Sequence, residues 1–133
     1  MEELKVLVVD DEDDFRETIV KRLQKRRLNV TGAESGEKAL ALIDAQPFDV
    51  VVLDVKMPGL DGIDTLREIK NRKPFIEVIL LTGHASMESG IEGMKLGAFD
   101  FVMKPAAIDE LMEKMRQAFE KKIVEETRRQ PGT

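Results

Sequence analysis

The stretch that decides the fold is Val50-Val51-Val52-Leu53-Asp54, four consecutive apolar residues that end in an acid. Two other runs have the same character, Val6-Leu7-Val8-Val9 and Val78-Ile79-Leu80-Leu81. None of the three alternates apolar with polar residues, and such uninterrupted runs are typical of strands buried on both faces. They predict a parallel sheet that is covered by helices on both sides.

Weaker runs extend this sheet, and helical patterns separate the strands. Residues 28–31 alternate and suit a strand near an edge, and residues 99–103 form a fifth run. Ser35 is expected to cap the second helix and Pro47 to end it. Five helices are expected, and each has a stripe of apolar residues, repeated at helical spacing, that should face the core. In chain order the stripes are Phe15, Ile19 and Leu23; Ala39, Leu40, Leu42 and Ile43; Ile63, Leu66 and Ile69; Met87, Ile91 and Met94; and Ile108, Leu111, Met112, Met115, Phe119 and Ile123.

Strands that alternate with helices predict the fold class. With right-handed crossovers, this order gives an α/β protein with a doubly wound, five-stranded parallel sheet.

The composition excludes several classes of protein. The chain has 133 residues, which is enough for one domain, and it contains no Cys, so a disulfide framework, a thiolate zinc site and thiol catalysis are excluded. The net charge of -5 argues against a nucleic-acid surface over the whole domain. The apolar runs are too short to span a membrane, and no signal peptide is recognised, so a cytoplasmic protein is expected.

Polar side chains stand where the predicted strands end. Asp10 and Asp11 follow the first strand, Asp54 the third, Thr82 the fourth and Lys104 the fifth. The carboxyl ends of parallel strands share one edge of the sheet, where doubly wound proteins bind their ligands. These five side chains are therefore expected to converge.

The charges of this set indicate its chemistry. Three carboxylates and one ammonium leave two negative charges, which one divalent cation balances, and Mg2+ prefers oxygen ligands. A metal beside a carboxylate, with an ammonium and a hydroxyl nearby, suits phosphoryl transfer to that carboxylate. Asp54 is the expected acceptor, with Asp10 and Asp11 as metal holders. Thr82 and Lys104 would then respond to the added negative charge.

These motifs resemble the receiver domain of two-component response regulators. The resemblance rests on VVDDE at 8–12, LDVKMPGLDG at 53–62, LTGH at 81–84, and GA at 97–98 with KP at 104–105. It covers residues 1–122 and leaves 123–133 as a C-terminal helix extension, linker or tail. The stretch from Thr82 to Pro105 is similar to receivers of bacterial enhancer-binding transcription activators.

The resemblance implies a flavodoxin-like receiver fold with strand order 2-1-3-4-5, and a phosphorylation-activated switch rather than an enzyme. A sensor histidine kinase would phosphorylate Asp54. Mg2+ would be held by Asp11, Asp54 and the backbone carbonyl of Lys56, with Asp10 acting largely through water. The coupled switch pair would be Thr82 and Phe101. The resemblance further implies a cis Lys104–Pro105 bond and output through the face of helix four, strand five and helix five.

The expected partners are the kinase and either a protein output partner or a missing effector domain. Neither direct nucleic-acid binding by this domain nor membrane association is expected, and dimerisation on phosphorylation is left open. Two rival functions also remain open. One is a phosphorylation-independent binding module of the same fold, and the other is a haloacid-dehalogenase-like phosphatase. The phosphatase needs a second acid two residues after its nucleophile, where this chain has Lys56.

Several other features have two interpretations each. His84 is expected to line the rim of the site. The basic run 21–27 is expected to be a solvated helix face, with a docking surface for an acidic partner as the alternative. Gly90 and Gly93 in helix four indicate either close packing or a marginal helix that shifts with Thr82. The stripe of the fifth helix is expected to face the core rather than to form a coiled coil.

Overall fold

The computed structural model describes residues 4–83 and 87–128, except for the side chain of Met87. Strands and helices alternate along the described chain: β1 (Lys5–Val9), α1 (Asp13–Lys25), β2 (Asn29–Ala33), α2 (Gly36–Ala45), β3 (Val50–Asp54), α3 (Gly62–Arg72), β4 (Glu77–Thr82), α4 (Met87–Lys95), β5 (Asp100–Met103) and α5 (Ile108–Arg128). All strand pairs are parallel, in the order β2-β1-β3-β4-β5. The predicted α/β doubly wound sheet with its flavodoxin-like strand order is confirmed.

The core lies in two layers, one on each face of the sheet. Every residue of β3 and β4 is buried, as the uninterrupted apolar runs predicted. One layer packs the sheet against α2 and α3, and the other packs it against α1 and α5. Each fully buried Val, Leu or Ile contributes about 1.5–3 kcal/mol, so these strands fix the scaffold that carries the site.

Local signals set the helix ends. The side chain of Ser35 accepts a hydrogen bond from the backbone N–H of Lys38 at 3.1 Å, and α2 ends at Ala45, two residues before Pro47. Both features of α2 match the prediction. The side chain of Asp61 caps α3 in the same way, with the N–H of Asp64 at 2.9 Å. This cap begins α3 shortly after β3 ends.

The predicted inward stripe of α4 is wrong. Ile91 is 54% exposed and Met94 is 38% exposed, whereas Gly90 and Gly93 are buried. A Cβ atom on Gly93 would overlap Cδ1 of Leu80, so glycine lets the helix lie this close to β4 without displacing that side chain. Glycine carries no hydropathy signal, and the apolar spacing therefore indicated the opposite face. The predicted role of the Met87 side chain lies outside the described residues.

Some boundaries also differ from the prediction. The strand predicted at 28–31 is Asn29–Ala33, and β5 begins at Asp100 rather than at 99. Helix α5 runs unbroken past residue 122 to Arg128. Its predicted stripe is buried at Leu111 and Met115, but Ile123 is 48% exposed and has left the core. In the part of the chain that the structure describes, no helix combines the length and apolar content needed to cross a membrane.

Candidate functional site

The carboxyl edge of the sheet brings together three of the residues predicted from the sequence. Asp10 follows β1, Asp54 ends the adjacent β3, and Lys104 follows β5. The ammonium of Lys104 lies 2.9 Å from Oδ2 of Asp10 and 3.5 Å from Oδ1 of Asp54. Asp10 is fully buried and Asp54 is 5% exposed. Two buried carboxylates therefore share one cation at the bottom of the site.

The loop from β1 to α1 holds Asp10 in place. Its backbone N–H donates to the carbonyl of Ala33, and its Oδ1 accepts a hydrogen bond from the N–H of Glu12 at 2.9 Å. The guanidinium of Arg16 donates to its backbone carbonyl at 2.9 Å. Among the described residues, the close partner of Oδ2 is the Lys104 ammonium at 2.9 Å, which engages one of the two lone pairs of this oxygen. A buried carboxylate oxygen is thus left with bonding capacity.

Glu12 is the site residue that the sequence analysis missed. Its Oε1 lies 3.1 Å from the Lys104 ammonium, and it joins Asp10 and Asp54 in a group whose ligand oxygens all lie within 4.8 Å of one another. Asp11, by contrast, is exposed and is not part of this group. The sequence signal that could have identified Glu12 is its place in VVDDE, two residues after Asp10. The turn into α1 brings Glu12 back toward Asp10.

This group fits a hard divalent cation. Its donors are all carboxylate oxygens, which Mg2+ prefers, and Oδ2 of Asp10, with Lys104 as its close partner, is a buried oxygen with a lone pair to spare. Lys56, whose carbonyl is the fourth predicted ligand, follows β3 by two residues and has an exposed side chain.

The electrostatics of the site follow from burial and from these close charges. Burial and the negative charge of Asp10 raise the pKa of Asp54 to about 6, although Lys104 and the backbone N–H of Lys56 oppose the shift. Burial lowers the pKa of Lys104, but its contacts with Asp10 and Glu12 outweigh burial and raise the pKa above the usual range. Lys104 is therefore charged at neutral pH, and Asp54 is mostly but not fully ionised.

The predicted switch residues lie on the neighbouring strands β4 and β5. Thr82 is 1% exposed and its hydroxyl donates to Sδ of Met103 at 3.2 Å. Phe101 is half-buried and packs against the core layer of α2 and α3. The ammonium of Lys114 donates to the carbonyl of Phe101 at 2.9 Å. Thr82 is thus tied to β5 through a sulfur, which is a weak acceptor.

Two smaller predictions concern the rim of the site. The Lys104–Pro105 peptide bond is cis, as predicted. The predicted position of His84 at the rim lies outside the described residues.

Comparisons with known proteins agree with this geometry. The model of the response regulator receiver domain family matches residues 6–116. The chain is 35% identical to the DNA-binding transcriptional regulator NtrC of Salmonella typhimurium over 113 residues, which is 85% of this chain and 24% of NtrC. It is 39% identical to the transcriptional regulatory protein ZraR of Escherichia coli over 113 residues, 85% of this chain and 26% of ZraR. The chain thus spans about a quarter of the length of these relatives.

Solved structures give the same result. A response regulator receiver domain protein from Clostridium thermocellum has a TM-score of 0.87 and 36% identity, covering 91% of this chain and 98% of that one. The receiver domain of NtrX from Brucella abortus has a TM-score of 0.83 and 34% identity, covering 87% and 98%.

The family is a signalling module of two-component systems whose members bind Mg2+ at an acidic pocket, and this chain has such a pocket. The predicted likeness to enhancer-binding activators is confirmed by NtrC and ZraR. Since the family model covers most of the chain and the solved receiver domains share its fold, the chain belongs to the response regulator receiver domain family.

Proposed function

We propose that this chain is a phosphorylation-activated switch that accepts a phosphoryl group from a sensor histidine kinase on Asp54, with Mg2+. The observation that carries the proposal is the position of Asp54. It lies at the carboxyl end of the central strand, 3.5 Å from the Lys104 ammonium and within the acidic group of Asp10 and Glu12. A nucleophile, a cation and oxygen ligands at one point are the requirements of phosphoryl transfer to a carboxylate.

The transfer step makes specific demands on these side chains. An oxygen of ionised Asp54 attacks phosphorus, the phosphorus–nitrogen bond of the donor phosphohistidine breaks, and its electron pair stays on the imidazole. With a pKa of about 6, Asp54 is mostly the required anion at pH 7. Bound Mg2+ supplies charge neutralisation for the transferring oxygens. The ammonium of Lys104 is close enough to Asp54 to pair with the phosphoryl group once it is attached.

For the metal we propose the predicted holders Asp10, Asp11, Asp54 and the backbone carbonyl of Lys56, and we add Glu12. Asp10 and Asp54 are supported by their burial within the acidic group. Asp11 is supported by the resemblance of VVDDE to the family motif. Glu12 is supported by its distance from the other carboxylates.

For the output we propose that Thr82 and Phe101 act as the switch pair. Phosphorylation places a strong acceptor near the end of β4, and the Thr82 hydroxyl exchanges the sulfur of Met103 for a phosphoryl oxygen. The methyl side of Thr82 faces α4, because a Cβ atom on Gly90 would lie 3.1 Å from its Cγ2. A shift of Thr82 therefore reaches α4 directly, and the half-buried ring of Phe101 repacks beside it.

We further propose a cytoplasmic protein that signals to a protein output partner or to an effector domain and is not a turnover enzyme. The support for an effector is that NtrC and ZraR are about four times as long as the matched region. We propose no direct nucleic-acid binding by this domain and no membrane association.

The experiment is intact-mass spectrometry after incubation with acetyl phosphate and Mg2+. We expect one phosphoryl adduct on the wild type, none on Asp54→Asn and none with a chelator. Glu17→Gln, an exposed acid on α1, is the matched control and is expected to keep the adduct. An unchanged wild-type mass favours the phosphorylation-independent module. Turnover of a generic phosphate monoester favours the phosphatase, which the Lys56 side chain argues against.

A further inference from the structure

The ammonium of Lys104 has an aromatic neighbour in addition to its three carboxylates. Nζ lies over the ring of Phe15, 4.6 Å from the ring centroid. Phe15 is in the first turn of α1 and packs half-buried against the core layer of α1 and α5. The contact therefore joins α1 to the loop that follows β5, across the site.

We propose that Phe15 is a positioning residue for Lys104, and this inference rests on the proposed function. The face of an aromatic ring attracts a cation within about 6 Å through its quadrupole. A ring face accepts an N–H only weakly, so it stabilises the ammonium and is readily displaced by an oxygen atom that needs one of the three donors. Those donors stay available for oxygen atoms.

The surroundings of Lys104 make this property useful. Its ammonium is shared among Asp10 at 2.9 Å, Glu12 at 3.1 Å and Asp54 at 3.5 Å, and Asp54 is the most distant of the three. A phosphoryl group on Asp54 would compete with Asp10 and Glu12 for this ammonium. A ring that attracts the charge and competes only weakly for its hydrogens keeps the ammonium in the site while it changes oxygen partners. An aliphatic side chain at position 15 would only desolvate the ammonium, which is a cost.

The test compares Phe15→Leu, which keeps an apolar side chain, with Phe15→Tyr, which keeps a ring. The control is Phe119→Leu, because Phe119 is half-buried against the same core layer from α5. Three quantities are measured: the chemical shift of the Lys104 Hε protons in lysine-labelled protein, the rate of phosphoryl incorporation from acetyl phosphate, and Mg2+ affinity by calorimetry. The Lys104 signal is assigned from its loss in Lys104→Arg.

We expect the wild-type Hε protons to be shifted upfield by the ring, and Phe15→Leu to lose this shift. Incorporation into Phe15→Leu should be about fivefold slower, which matches the upper end of the range for an exposed cation–π contact. Its Mg2+ affinity should not fall. Phe15→Tyr should keep both the shift and the rate, and Phe119→Leu should match the wild type in all three quantities.

A wild-type rate in Phe15→Leu overturns the inference, as does an equal loss of rate in Phe119→Leu. A parallel loss of Mg2+ affinity in Phe15→Leu also overturns it, because the effect would then be collapse of the acidic group. If the wild type itself takes no phosphoryl group, the proposed function fails. That outcome is distinct from a wild type that is phosphorylated at a rate indifferent to Phe15.

Discussion

At the scale of single residues, the chemistry is set by one cation among three acids. The Lys104 ammonium is within 3.5 Å of Asp10, Glu12 and Asp54. Burial and the charge of Asp10 raise the pKa of Asp54, and the positive charge of Lys104 offsets part of this effect. The resulting pKa of about 6 leaves Asp54 mostly ionised at neutral pH but lies above the ordinary value of 3.8. The folded chain therefore holds Asp54 in an environment that disfavours its charge, as expected where a binding site is kept ready for a cation.

This environment predicts a pH-dependent stability difference between the wild type and Asp54→Asn. A raised pKa means that ionised Asp54 lowers the free energy of unfolding at high pH, and the cost is relieved as pH falls from about 6 toward 3.8. The shift corresponds to about 3 kcal/mol at most. It already contains the opposing Lys104 contact, and solvent screening at the partly open site reduces it. In metal-free buffer we expect Asp54→Asn to be about 1–2 kcal/mol more stable at pH 8, falling to about a third of that at pH 4.5.

Urea unfolding followed by far-ultraviolet circular dichroism measures this difference, since the chain has no Trp or Tyr. Glu17→Gln serves again as the control and should show no comparable change with pH. An Asp54→Asn variant that is less stable than the wild type at pH 8 would contradict the account of the site's electrostatics.

Which acids form the site is a residue-scale question that the sequence answers only in part. Asp10, Asp54 and Lys104 were identifiable because each stands at the carboxyl end of a predicted strand, and parallel strands share an edge. The position of Glu12 beside Asp10 depends on the turn into α1, which the hydrogen bond from the Glu12 N–H to Oδ1 of Asp10 fixes. That turn has no hydropathy signal. The hydrogen bond from the Thr82 hydroxyl to the Met103 sulfur could not be predicted from the sequence either, because it depends on the register of β4 and β5.

At the scale of elements, α4 differs most from the other helices. Among the α4 residues whose burial is described, the buried ones are Gly90 and Gly93, and the large apolar residues Ile91 and Met94 face outward. The strands β1, β3 and β4 could be predicted because burial on both faces requires continuous apolar runs. Helix α4 could not be oriented in this way, because close packing through glycine reverses the usual relation between hydropathy and burial.

The buried glycine face of α4 predicts that alanine substitution lowers the free energy of unfolding by different amounts at Gly90 and Gly93. Gly93→Ala puts a Cβ atom into Leu80, and we expect a loss of about 1–3 kcal/mol from overpacking, less up to about 1 kcal/mol gained in helix propensity. At Gly90 the new Cβ atom would lie 3.1 Å from Thr82, so Gly90→Ala should stay within about 1 kcal/mol of the wild type. Urea unfolding of both variants compares the two positions. Equal stabilities would show that α4 does not pack on β4 through Gly93.

At the scale of the whole molecule, the folded unit extends beyond the family match, which ends at residue 116. Ala118 is fully buried. The ammonium of Lys121 lies 3.4 Å from the buried carboxylate of Glu77, and that of Lys122 lies 3.0 Å from Asp49. These contacts tie α5 to the amino edge of the sheet, opposite the site.

Truncated chains that keep or remove these contacts test the predicted domain boundary at residue 122. A chain that ends at residue 122 should unfold at nearly the same urea concentration as the full chain. A chain that ends at residue 116 should lose about 2–4 kcal/mol, because it removes apolar packing and leaves the Glu77 carboxylate with fewer cations. Equal stability of the two truncated chains would place the boundary at the end of the family match instead.

The central claim is that Asp54, among several neighbouring acids, is the residue that accepts the phosphoryl group. Borohydride reduces an aspartyl phosphate to homoserine, so peptide sequencing by mass spectrometry after acetyl phosphate and Mg2+ locates the acceptor. The account predicts homoserine at position 54 of the wild type and at no other position, and none when Mg2+ is chelated. Homoserine at Asp10 or Asp11, or its absence from the Mg2+-treated wild type, would contradict the claim.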